Sequence, residues 1–169
     1  MRLSLSISIG LALFLGWNAS VVALPLTFPQ AKLVQMADNS NYVNSNELGE
    51  LKRNLKLWNK QGILNYRYTL TNNCFCVSEF RGPVIIEVRN GITTSITSAA
   101  TGQPVNPELF QKYDTVPDLF DLIEDAITNR ESDLSVEYNP TLGYPTQINI
   151  GNLAADAGIV TTIENLEKI

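Results

Sequence analysis

LNYRYTLTNNCFCVSEFRGPVIIEVRNGITTSITSA, residues 64–99, decides the fold. Leu64, Tyr66, Tyr68 and Leu70 alternate with Asn65, Arg67, Thr69 and Thr71, the period of two that marks a strand with one buried face. Gly82-Pro83 interrupts the chain, and Val84-Ile85-Ile86-Glu87-Val88 resumes it as a β-rich run. Asn90-Gly91 then predicts a two-residue hairpin turn, because both positions tolerate positive φ. Ile92 to Ala99 is the returning strand. Strands joined this tightly run antiparallel.

Outward from this core, the pattern changes to helical. Leu48, Leu51, Leu55 and Trp58 fall within about 80° of one another at 100° per residue, so a helix is expected from Asn46 to Gln61. Ser45 is its expected N-cap and Gly62 follows its end. Lys52, Arg53, Lys56 and Lys60 fill the adjoining sector, read as a solvated face. A second helix starts at Thr115 as N-cap, with Pro117 in its first turn and Asp118 three residues on, and runs to about Asn129. Its apolar sector is Val116, Leu119, Phe120, Ile123, Ala126 and Ile127; Asp118, Asp121, Glu124 and Asp125 lie opposite. Asn106-Pro107-Glu108-Leu109-Phe110 has the makings of one helical turn inside the connection 100–114. Leu134, Val136 and Tyr138 alternate in a strand, Asn139 to Pro145 turn, and Thr146–Ile150 and Ile159–Leu166 complete a second meander. The expected order is α-β-β-β-α-β-β-β, an α+β domain with an antiparallel sheet and two helices on one face. Helix followed by meander occurs twice, which suggests two related half-units.

The chain has 169 residues, 44% of them hydrophobic, enough for one domain with a core. Arg2 followed by the apolar run Leu3 to Trp17, with small residues at Val21-Val22-Ala23, predicts a secretory signal over 1–23, cleaved after Ala23. Its retention as an anchor is the competing reading. Residues 24–44 read as a flexible leader, rich in Asn and Ser, and 45–169 as the single domain. The expected location is secreted or periplasmic, with no membrane association after cleavage. Cleavage leaves 146 residues and, with Arg2 gone, a net charge of −6, which argues against nucleic acid. That charge is uneven: residues 24–105 carry +3 and residues 106–169 carry −9. Either each helix solvates its own charged face, or the two helices lie side by side and pair their charges.

Histidine is absent from the chain. That excludes Ser-His-Asp and Cys-His catalysis and the imidazole ligands of most catalytic zinc and copper sites. No P-loop, Rossmann fingerprint or serine elbow occurs, and no cofactor is expected. Asp114-Thr115-Val116 lacks the glycine of an aspartic-protease triplet and reads as helix-capping chemistry. Asp118, Asp121, Glu124 and Asp125 belong to a helix rather than a calcium loop.

Leu55-Lys56-Leu57-Trp58, Asn65-Tyr66-Arg67-Tyr68, Cys74-Phe75-Cys76, Gly82-Pro83-Val84, Val88-Arg89-Asn90-Gly91, Thr115 to Ile123 and Gly143-Tyr144-Pro145 stand in one order. In that order the chain resembles, over residues 50–150, a family of secreted bacterial proteins classed as a domain of unknown function. The resemblance implies a secreted α+β domain and brings no assigned activity. It also leads one to expect an Asp after the strand that follows Gly-Tyr-Pro, where this chain has Gly151, so any ligand role of that carboxylate is lost here.

Cys74-Phe75-Cys76 is the chemically pointed motif. In a flat strand its Cα atoms would stand about 6.6–6.8 Å apart, the far limit for a disulfide. A bridge therefore requires the chain to turn at Phe75. Closing so short a loop stabilises by only about 1.6 kcal/mol in the chain-entropy account. Three readings stay open: a local disulfide or pair of semi-buried thiols shaping a loop, a redox-active pair, and a Cu(I) site. Tyr66, Tyr68, Tyr138 and Tyr144 either pack the core or present a contact surface. The expected function is a non-enzymatic binding module for an unknown protein or small-molecule partner. The alternative is a thiol-disulfide or Cu(I)-handling protein acting through Cys74 and Cys76.

Overall fold

Tyr66, Tyr68 and Leu70 are buried while Arg67 is exposed and Thr69 half-buried, so the alternation in sequence becomes strand β1, Tyr66–Cys74. The computed structural model describes residues 30–131, 133–152 and 157–169, with side chains from residue 45 on. Helix α1 spans Gln30–Gln61 and a one-turn helix α2 spans Ser78–Arg81. Strands β2, Val84–Arg89, and β3, Ile92–Ser98, form the hairpin. A 3-10 turn at Pro107–Phe110 precedes helix α3, Val116–Asn129. Strands β4, Ser135–Tyr138, β5, Pro145–Ile150, and β6, Ile159–Lys168, complete the chain.

The six strands make one sheet in the order β3-β2-β1-β6-β5-β4, every neighbour antiparallel. At the expected hairpin, Asn90 has φ 52° and Gly91 φ 76°, the two positive values such a turn demands. Helix α2 is an addition to the expected element order, whereas the 3-10 turn stands where one helical turn was expected inside the connection 100–114. Each meander is a run of three neighbouring strands, β3-β2-β1 and β6-β5-β4, and the two runs join through β1 and β6.

Helix α1 also differs from the expectation. It reaches back to Gln30, into the stretch 24–44 read as a leader, so Ser45 lies inside the helix and is not its N-cap. The physical reason is legible afterwards: residues 30–37 are mostly good helix formers, and no Gly or Pro separates them from Asn46. The signal segment 1–23 lies outside the described residues. Among the described residues no helix is long and apolar enough to cross a membrane.

One core joins the layers. Leu51 and Trp58 of α1 and Leu119, Phe120 and Ile123 of α3 pack in a single cluster with Tyr66, Tyr68, Leu70, Val84, Ile86 and Val88 of the sheet. Burying a side chain of this size stabilises by roughly 1.5–3 kcal/mol. Helices α1 and α3 touch. Yet the ion pairs among the described residues, Arg53–Glu50, Arg67–Glu167 and Arg89–Glu87, do not join the two helices. Lys52, Lys56 and Lys60 and, on α3, Asp121, Glu124 and Asp125 are exposed, as the solvated-face reading requires.

Candidate functional site

The inward row of β1 ends in a polar residue. Asn72 is almost fully buried, and its amide is satisfied twice: Oδ1 accepts from the Thr161 hydroxyl at 2.7 Å, and Nδ2 donates to the Phe80 carbonyl at 3.2 Å. These bonds offset the cost of burying an amide. They also tie the end of β1 to β6 and to α2. Cys74, the last residue of β1, still pairs with Ile159 of β6.

The chain then turns at Phe75, and Cys76 comes back toward Cys74. Their Cα atoms are 5.3 Å apart and their sulfurs stand at bonding distance, a close pair with both residues half-buried. The separation is well short of the flat-strand value, so the required bend is present. Its consequence is the display of the residues beside the sulfurs: Phe75 is 87% exposed and Val77 62% exposed. Isolated surface apolar residues are ordinary. Two of them on a loop closed by its own cross-link, at the end of a central strand, form a small apolar tip.

The segment after this tip is firmly held. Phe80 of α2 packs 5.7 Å from Phe110 and 5.5 Å from Tyr113, ring centre to ring centre. Gly82, with φ 75°, brings its backbone so close to Leu70 that an added Cβ would meet the Leu70 carbonyl oxygen at 2.8 Å. The Gly82–Pro83 peptide is cis, and β2 begins at Val84.

The tyrosines are placed differently from a contact surface. Tyr66, Tyr68 and Tyr144 are buried and Tyr138 is half-buried, which fits the packing alternative and not the presenting one. Tyr66 stacks near Tyr68, meets Trp58 edge-on at 5.4 Å, and accepts the Val116 N–H through its hydroxyl at 2.9 Å. Tyr68 donates its hydroxyl to the Tyr113 carbonyl at 2.5 Å. Burial pushes the Tyr66 hydroxyl up to about 12 and that of Tyr68 well above the ordinary tyrosine range. Tyr138 stacks on Phe120, and burial together with the charges of Glu50 and Glu47 raises its hydroxyl as well.

Sequence reasoning missed one titratable group. Burial, a hydrogen bond to Asp118 and the Asp118 charge push the Asp114 carboxyl up to about 6. The Thr93 hydroxyl donates to the Asp114 carbonyl at 2.6 Å, and the Thr115 hydroxyl bonds the Asp118 carboxylate while accepting the Asp118 N–H at 3.2 Å. The signal was the spacing of Asp114 and Asp118, four apart across the start of a helix. Thr115 and Asp118 cap the start of α3. Among the described residues no three His, Cys, Asp or Glu side chains gather to hold a metal.

The model of a family of unknown function, DUF6174, covers residues 50–168, most of the chain. Neither the curated proteins nor the solved structures give a match.

Proposed function

The chain belongs to the family of unknown function DUF6174, and from that premise we propose that it is a non-enzymatic binding module that grips a protein partner with loop 74–77. The observation that carries this reading is the exposure of Phe75 and Val77 on a loop tied by the Cys74–Cys76 pair. A rigid aromatic side chain loses little freedom on binding and buries a large apolar area, which is why aromatic residues dominate contact hot spots. The site of action in this reading is the exterior or the periplasm, reached through cleavage after Ala23. An oxidising compartment suits a cysteine pair. We further place α1 and α3 together over one face of the sheet. The core they share with Tyr66 and Leu70 supports this, as does the exposure of Arg67 and Asn73 on the opposite row of β1.

Photo-cross-linking in the producing cell tests the proposal. A photoreactive residue at position 75 is expected to give a discrete protein adduct, and one at Lys112, also exposed, is expected to give none. Equal patterns from both positions, or no adduct from position 75, would refute it.

The second reading keeps the same loop but makes its sulfurs the reactive groups. It is favoured by their half-buried setting beside exposed apolar residues. A thiol-disulfide exchange activity that disappears in Cys74→Ser/Cys76→Ser, with adduct formation from position 75 retained, would support it.

A further inference from the structure

We propose that the Cys74–Cys76 pair is a reducible latch on the contact loop: it orders residues 75–77 and leaves the rest of the fold indifferent to its state. The inference rests on the reading of that loop as the contact site, and adds its regulation.

Both ends of the loop are anchored by other groups. On the upstream side, Asn73 and Cys74 pair with Val160 and Ile159, and the buried Asn72 is bonded to Thr161 and to the Phe80 carbonyl. On the downstream side, Phe80 is held against Phe110 and Tyr113, and the Pro83 carbonyl accepts from the Ala99 N–H at 3.0 Å. None of these contacts uses a sulfur. Opening the pair therefore leaves both ends of the loop fixed and frees the residues between them. The Val77 carbonyl, which accepts from the Phe80 N–H at 3.1 Å, closes the downstream anchor, and between the anchors the Phe75 side chain stands in solvent. A three-residue loop also constrains the unfolded chain very little, so the cross-link contributes little to global stability.

The chemistry needs a dithiol partner. One thiolate of the partner attacks a sulfur of the pair, forming a mixed disulfide and expelling the other sulfur as a thiolate. The second thiol of the partner, once deprotonated, resolves the mixed disulfide. The partner ends as a disulfide, and Cys74 and Cys76 end as two thiols after taking up two electrons and two protons. Phe75 then loses the fixed orientation that lowers the entropy cost of docking.

Backbone 15N relaxation on the full exported chain tests this, with the oxidised protein compared to the dithiothreitol-reduced protein and to Cys74→Ser/Cys76→Ser. Order parameters at residues 75–77 are expected to fall from about 0.85 to below about 0.6 in both reduced forms. Amide shifts of Tyr66–Leu70 and Ile163 are expected to hold. Unchanged order at 75–77 would overturn the latch, and so would loss of order along β1, which would make the pair a support of the fold. Failure here leaves the cross-linking result at position 75 untouched, and failure there leaves this one untouched.

Discussion

Among single residues, Phe75 and Asp114 stand for what a sequence hides. Phe75 sits between two cysteines in a strand-like run, and its near-complete exposure follows only from the turn that brings the sulfurs together. Asp114 reads as an ordinary residue before a helix cap, yet burial and Asp118 push it up to about 6. A carboxyl raised in the folded state binds its proton more tightly there than in the unfolded chain. Its contribution is full below the ordinary value of 3.8 and is lost as pH rises through about 6. The group is partly open to solvent, so the effect is discounted to about 1 kcal/mol or less. Thermal midpoints should fall between pH 4 and pH 7, and Asp114→Asn should remove most of that slope. A variant with the slope intact would place its origin elsewhere.

Elements were legible where a period and a cap coincided. Helix α3 begins after Thr115, whose hydroxyl takes the Asp118 N–H, and ends at Asn129 with Arg130 in the left-handed conformation. The hairpin at Asn90-Gly91 was equally plain. The start of α1 was not, because the Asn and Ser of residues 38–46 suggest a loop while containing nothing that breaks a helix. Gly143 shows how a turn is fixed by what it packs against. With φ 85°, it brings the turn before β5 onto α1, and an added Cβ would lie 2.5 Å from the Asn54 carbonyl oxygen and 3.0 Å from the Trp58 nitrogen. Gly143→Ala should destabilise by more than about 3 kcal/mol, since both strain and overpacking apply. Denaturant titration would measure it, and a loss under about 1 kcal/mol would mean the turn can lift away from the helix.

On the scale of the whole molecule, sequence reasoning reached the antiparallel α+β class but not the strand order. Short turns declare which consecutive strands pair; nothing local declares that β1 and β6, about ninety residues apart, form the central pair. The same holds for the proposed contact site. The cysteines were visible, whereas the emptiness around Phe75 depends on α2 and β6 anchoring the loop from either side. The tyrosines, attractive as contact residues on composition, are drawn into the core because their strand face is the buried one. The most direct measurement of the binding claim is the yield of partner adduct from a photoreactive residue at position 77 in a Phe75→Ser background. Phe75 supports no core contact, so the thermal midpoint should stay where it is, while the adduct should fall at least about tenfold, as removal of a hot-spot aromatic implies. An undiminished adduct at an unchanged midpoint would contradict the account.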